Sequence, residues 1–411
     1  MPGRGLPVVQ GRFAAYGVSV MSRSDLSARR PDDPVIVSAR RSPIGRRNGV
    51  LAGMHPHDLL GSVQRAVIED SAIAGSDIDM IITGCVTQIG DQSYNIGRMA
   101  ALGSGLPAEV PAMTIDSQCG SSHQAVNVAA GMVRSAAAEI IVASGIESMS
   151  RVPLGSAQGA GFGTPYSDGY TSRFEVVAQG ESAERIADKW HITRGECDAW
   201  AVRSQQRAAE ATEKGRFDRE VVPLSVDGDM VTRDQGIRVS TPESLAALRP
   251  AFREDGRHTA ANSSQISDGA AAVLVMSRAR AGRLGLTPLA RVAGQAFVGV
   301  DPVLKLTGPI PATGALLNRA GLTVDDIGLF EVSEAFASVV LAWLAETGAD
   351  PDRVNVNGGA IALGHPVGAS GARMITTAAH ELMCSGMQFA VVTMCCGGGL
   401  GTATLLEAEG A

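Results

Sequence analysis

Three short segments place chemically competent side chains beside turns that would hold them. In SQCGSSHQAV (117–126), Cys119 separates a strand-like stretch from a helix-like one. A thiol at such an elbow faces helix N-terminal amides worth about half a positive charge, which favours the thiolate over a reference pKa near 8.5. That is a place for a nucleophile, although a lone cysteine also serves as small apolar filler. In NGGAIALGHPVGASG (357–371), His365 stands between Gly364 and Pro366. A rigid turn holds it there, as a general base requires, and a structural histidine is the plain alternative. VVTMCCGGGLG (391–401) runs from an apolar stretch into vicinal Cys395 and Cys396 and then three glycines. Backbone amides can approach a ligand closely there and form an oxyanion nest. Neither GxGxxG nor GxxxxGK[ST] occurs in this segment or around His365, so phosphate cradling is discounted.

These residues need elements to aim them. VIVSA (35–39) predicts a short buried strand, HDLLGSVQRAVIED a helix with Leu59, Leu60, Val63 and Val67 on one side, and DMIITGCV (79–86) a second strand. MTIDSQ, SSHQAVNVAAGMVRSAA and EIIVASG then spell strand, elbow, helix, strand around Cys119. The C-terminal part repeats the rhythm through DDIGLFEV, AFASVVLAWLAETG, VNVNGG, the His365 elbow, GASGARMITTAAHELMCSG and FAVVTM. The expected fold class is α/β, with two similar duplicated domains. Between them, GSAQGAGFGTPYSDGY (155–170) and the helical patterns that follow read as an inserted loop domain. The predicted boundaries are an N-terminal extension over 1–33, a first domain over 34–154 with a return at 261–285, the loop domain over 155–260, and a second domain over 286–411.

Composition narrows the class. Among 411 residues, 49 are Gly, about 12% against a usual 7%, so glycine serves tight turns and close approaches. With 35 basic and 42 acidic residues the formal charge is −7, which argues against nucleic acid as a partner. No run of about 18 apolar residues predicts a membrane span. The six cysteines form no CxxC pair and suit neither a zinc site nor a disulfide framework, so no metal and reduced, cytoplasmic thiols are expected. Residues 1–33 carry Arg4, Arg12, Arg23, Arg29 and Arg30. They read as a disordered extension or, alternatively, as a mitochondrial transit peptide, which would move the protein to the matrix.

Taken in order, CGSSHQA, IESMS (146–150), SEAFA (333–337), GGAIALGHPVGASG and CCGGGLG resemble the motifs of the thiolase family, as do GIR, LRPAF and NSSQISDGAAA between residues 236 and 272. The similarity spans nearly the whole chain after residue 34. It implies an acyltransferase that cleaves 3-ketoacyl-CoA with free coenzyme A or runs the Claisen condensation in reverse, with CoA as co-substrate, no tightly bound cofactor, and a homodimer or homotetramer. Carried over residue by residue, Cys119 is the nucleophile, His365 takes its proton and Cys395 protonates the departing enolate. The amides of Cys119 and Gly397 form one oxyanion hole, and His365 with a water held by Ser333 the other. Ser264, Ala335, Phe336 and Arg238 line the CoA pocket. The chain departs from the family with Ser122 in place of a usual glycine and Ser333 in place of a common asparagine. CVTQIGDQSYNIGR (85–98) and NGGAIALGHPVG look closest to thiolases acting on steroid or fatty acyl-CoA esters. A 3-ketoacyl synthase would share the fold, but the cysteine of CCGGGLG argues against it. A non-catalytic acyl-CoA-binding scaffold would have lost part of the constellation.

Overall fold

A computed structural model describes residues 28–159 and 161–409. The apolar runs become strands β1 (Pro34–Arg41), β2 (Gly45–Arg46), β3 (Met80–Gly84), β4 (Ala112–Ile115) and β5 (Ile140–Ser148) in the first half. A short hairpin follows, β6 (Leu224–Val226) and β7 (Asp229–Val231), and then β8 (Ser267–Ser277) and β9 (Ala290–Gly299). The last part supplies β10 (Leu329–Val332), β11 (Phe389–Cys396) and β12 (Leu400–Ala408). β5, β8 and β11 are buried at every position, which explains why their sequences are nearly continuous apolar runs: both faces of the sheet are covered.

The strands form one mixed sheet in the order β10-β11-β12-β9-β1-β8-β5-β3-β4, with β2 attached to β8. Its outer strands run parallel (β3 with β4 and β5, β10 with β11) and its middle is antiparallel, so each half repeats the arrangement of the other. The halves join at β1 and β9, where two residue pairs, Val35 with Arg291 and Ile36 with Ala290, make the ladder. This is the duplicated α/β fold that the sequence predicts.

Two helices, Ser121–Arg134 and Ser370–Ser385, pack together and share one apolar core. Ala125, Val126, Ala129 and Val133 contribute from the first, and Ala372, Ile375, Ala379 and Leu382 from the second. Small residues let the backbones approach. A Cβ on Gly371 would lie 2.3 Å from the backbone nitrogen of His123. The Ser122 hydroxyl accepts the Ala372 amide at 2.9 Å, satisfying one of the N-terminal donors of the second helix. His123 is buried and bonded through Nε2 to Thr404 Oγ1 at 2.6 Å; burial pushes its pKa down to about 3, so the ring is neutral.

The halves differ at VNVNGG, where no strand forms beyond an isolated bridge between Phe330 and Val354. Asn355 takes φ 50° and turns the chain away. Its side chain replaces the ladder, accepting the Val332 amide at 2.8 Å and donating to the Val332 carbonyl at 2.9 Å. Within 155–260 the chain forms helices Gln179–Lys189 and Arg194–Glu213, a few shorter turns and the hairpin. Buried Arg41 of β1 ties this region to the sheet through Glu220 at 2.5 Å and Asp234 at 2.7 Å.

Residues 1–27 of the expected extension lie outside the described residues. Residues 28–33 are held against the sheet: Arg29 donates to Glu407 at 2.6 Å, the Pro31 and Asp33 carbonyls accept the amides of Ala279 and Arg278, and Asp33 pairs with Arg291 at 3.1 Å. The physical reason is that Asp33 adds a buried carboxylate to the arginines on this face, Arg291 at 3.1 Å and Arg278 at 3.7 Å, alongside Glu407 and Glu409.

Gly371→Ala is expected to destabilise the protein by about 1–3 kcal/mol, because the neighbour of the added methyl is backbone and cannot swing aside. Urea unfolding measures this. A midpoint equal to wild type would mean that the two helices are not rigidly packed.

Candidate active site

Cys119 sits on a turn built from its own neighbours. Asp116 accepts the Gln118 amide at 2.6 Å, Ser121 Oγ accepts the Ser117 amide at 2.9 Å, and Gln118 takes φ 55°, which costs a non-glycine residue roughly 1–2 kcal/mol. The turn directs the thiol inward. Burial pushes the Cys119 thiol up to about 11; the amides of Gly397 and of Cys119 itself, near the sulfur, pull the other way without prevailing. The helix begins at Ser121 with Gly120 as its cap. Burial thus favours the thiol over the thiolate expected from the elbow.

His365 follows Gly364, which takes φ 111°, a conformation open to glycine. Its amide donates to the Gln265 carbonyl at 3.1 Å and to Ser267 Oγ at 3.2 Å, fixing the backbone. Nδ1 lies 2.6 Å from Ser370 Oγ, whose single hydrogen is directed to the Pro366 carbonyl at 3.0 Å. That assignment puts the ring hydrogen on Nδ1 and leaves a lone pair on Nε2. Nε2 is buried with no partner among the described residues, and so is Ser333 Oγ. Burial, and then the charge of Arg373, hold the His365 pKa down at about 4, so the ring is a neutral acceptor near pH 7.

Cys395 and Cys396 end β11 and point to opposite faces. Cys395 joins the core of the second half, and Cys396 the core shared by the two central helices. Burial raises both thiols, and the nearby Cys119 raises them further. The Cys396 thiol donates to the Met394 carbonyl at 3.9 Å, and its sulfur would lie 2.4 Å from a Cβ on Gly120, so packing fully occupies it.

Ser264, Ala335 and Phe336 come together, with the Ser264 amide donating to the Ala335 carbonyl at 3.0 Å and Phe336 packed edge-on against Phe252 and His258. Arg238 is exposed nearby, its guanidinium on the Ala260 carbonyl at 3.3 Å.

Sequence reasoning missed two carboxylates. Buried Glu147, inside the quoted IESMS, accepts the amides of Val86, Thr87 and Gly368, each at 3.0 Å, and thereby ties the loop after β3 to the His365 turn. Glu334 accepts from Trp200 Nε1, Ser204 Oγ, Asn355 Nδ2 and the Ile361 amide, holding the start of that same turn. An acidic residue inside an otherwise apolar motif is the signal that marks both. Among the described residues no group of His, Cys, Asp or Glu is arranged to hold a metal, and no helix is long and apolar enough to cross a membrane.

Residues 34–279 match the profile described as thiolase, N-terminal domain, and residues 286–408 that of thiolase, C-terminal domain. The chain belongs to the thiolase family. It is 43% identical over 380 residues to a steroid 3-ketoacyl-CoA thiolase of Mycobacterium tuberculosis, covering 90% of this chain and 93% of the relative. It is 42% identical over 391 residues to an acetyl-CoA acetyltransferase of Syntrophomonas wolfei, covering 91% and 98%. Among solved structures, human mitochondrial 3-ketoacyl-CoA thiolase in complex with CoA superposes with a TM-score of 0.85 at 35% identity, covering 93% of this chain and all of that one. The Bacillus anthracis acetyl-CoA acetyltransferase gives 0.86 at 36%, covering 92% and 99%.

With the thiol held up to about 11 and His365 neutral, alkylation of Cys119 by iodoacetamide is expected to accelerate with pH up to and beyond about pH 9. Peptide mass spectrometry resolves it from the exposed Cys384. A plateau near neutral pH would reveal a resting thiolate–imidazolium pair instead.

Proposed function

We propose that this chain catalyses the CoA-dependent cleavage of a 3-ketoacyl-CoA to acetyl-CoA, or propionyl-CoA from a branched substrate, and a shortened acyl-CoA, reversibly. One observation carries the reading: the Cys119 and Gly397 amides stand by the Cys119 sulfur and draw its pKa down, while His365 offers an Nε2 unpartnered among the described residues on a turn bound to the same central helices. The sulfur adds to the 3-keto carbon as its proton passes to His365 Nε2. The two amides then receive the oxygen that becomes negative. The bond between C2 and C3 breaks, leaving a thioester on Cys119 and an enolate whose oxygen faces protonated His365 and a water on Ser333. Cys395 gives C2 its proton and then takes one from incoming CoA, whose thiolate attacks the thioester; His365 returns the proton to Cys119.

The need for preorganised donors is physical, since each donor of such a hole is commonly worth some 3–4 kcal/mol. Ser333 supports this reading through its orphaned hydroxyl, which is shorter than the family's usual asparagine and still able to hold water. The similarity to relatives named for steroid 3-ketoacyl-CoA and acetyl-CoA supports a place in lipid or steroid breakdown, in the cytoplasm. β4 ends the sheet with Met113 exposed, and pairing of that edge in a homodimer or homotetramer fits the family.

When a 3-ketoacyl-CoA is supplied without free CoA, the acyl mass is expected on Cys119 by intact-protein and peptide mass spectrometry. An unmodified protein would favour the non-catalytic scaffold, and the mass on Cys395 or Cys396 would reassign the nucleophile.

Cys395→Ala is expected to lower steady-state thiolysis by at least about a hundredfold, the range of a lost general acid, while Cys396→Ala keeps most of it. Equal and severe losses in both would mean that the register of the pair is misread.

A further inference from the structure

A cavity of about 390 Å³, within the range of small-molecule sites, opens beside the nucleophile turn. Its walls include Gln118 and Gly397 on either side of Cys119 and, farther away in the chain, Leu154, Tyr166, Val177 and Lys305. The acyl-transfer steps above use no cation there. Only three of the 35 basic residues in the chain are lysines (Lys189, Lys214 and Lys305), and one of them lines this cavity.

Three observations set Lys305 apart. Among the described residues its ammonium makes one hydrogen bond, to the Val177 carbonyl, and two of its three donors are left for something else. No carboxylate among the described residues offsets its charge: burial alone acts on the group, pushing its pKa down. Asp116 is also in the wall, but its oxygens are taken by the Gln118 amide, the Gln118 side chain and Ser121 Oγ. Finally, the backbone at Lys305 has φ 29°, unfavourable for a residue with a Cβ, in a tight turn closed by its own amide on the Asp301 carbonyl at 2.8 Å. A half-buried cation without a counter-ion is costly unless a ligand brings the opposite charge.

We propose that Lys305 is a specificity-determining residue that selects 3-ketoacyl-CoA substrates whose acyl group ends in a carboxylate, the ammonium receiving that carboxylate at the far side of the cavity. The proposal rests on the reading of Cys119 as nucleophile, because the acyl group must extend from that sulfur into the cavity. It deepens that reading by naming the substrate class as mono-CoA thioesters of 3-keto dicarboxylic acids. Such acids arise when an oxidised ring or a doubly oxidised chain is opened, so the preceding reaction is an oxidative or hydrolytic cleavage that leaves a free carboxylate, and a 3-hydroxyacyl oxidation that creates the ketone.

The test is thiolysis by the full-length enzyme of two series matched in length from about six to ten carbons: unsubstituted 3-ketoacyl-CoAs and 3-keto dicarboxylic mono-CoA thioesters. At the best length, wild type is expected to favour the carboxylated member by about tenfold or more in kcat/KM, a preference that weakens with salt. Lys305→Met should collapse the ratio between the series, mainly through KM for the carboxylated substrate, and Lys305→Arg should keep part of it. A wild-type enzyme that acylates Cys119 yet shows no preference at any length overturns the proposal. So does a Lys305→Met enzyme in which both series fall in proportion, because Lys305 would then merely pin the Val177 segment. A change in the KM for CoA, with the ratio intact, would assign the ammonium to the cofactor's phosphates and equally overturn it. Failure of both series to acylate Cys119 would instead sink the acyl-transfer reading itself.

Discussion

The contact between the N-terminal turns of the two central helices governs the site. Where Gly371 meets the backbone of His123 and Ser122 caps the Ala372 amide, two loops from opposite halves of the chain are brought to a single point. Cys119 precedes one helix and His365 the other, so neither side chain needs a long reach or a flexible arm. Only alanines, glycines and a hydroxyl at the crossing permit this distance. A bulkier residue at any of them would part the loops before it disturbed the sheet.

Burial follows from the same crossing and sets the chemistry. Closed in by both halves, the thiol and the imidazole are each held in the uncharged form, Cys119 near 11 and His365 near 4. In the proposed reaction, charge therefore develops in front of amides already in place and is not stored beforehand. The surrounding carboxylates keep the geometry: Glu147 spans the loop after β3 and the His365 turn, and Glu334 anchors that turn from beneath through four donors. Burial makes Glu147 harder to ionise, and its ring of amides is what opposes that cost.

Much of this was legible in the residues. Strand and helix alternation predicts the duplicated α/β fold, because periodicity reports burial on one face or two. Cys119, His365 and the Cys395 segment stand out because glycine and proline punctuate the turns that carry them. What could not be read depends on distance across the fold. Ser122 looks like a mere departure from a glycine until its hydroxyl is seen on the Ala372 amide, 250 residues away in sequence. The protonation of Cys119 was misjudged because the sequence displays the helix that follows and hides the desolvation around the sulfur. VNVNGG has strand composition, yet Asn355 substitutes its side chain for the ladder, a choice set by the partner strand. Asp33 lies in a stretch with the composition of a tail and is held by arginines from β9 and the segment after β8.

The two-pair junction between β1 and β9 joins two copies of one arrangement that are not interchangeable. A fold repeated once offers two equivalent turns, each followed by a buried helix. Here the first copy presents a thiol and the second an imidazole and another thiol, so neither can replace the other. On the proposed reading the chain must stay whole: an isolated half, however well it folded, would carry a nucleophile without a proton acceptor, or a proton acceptor without a nucleophile.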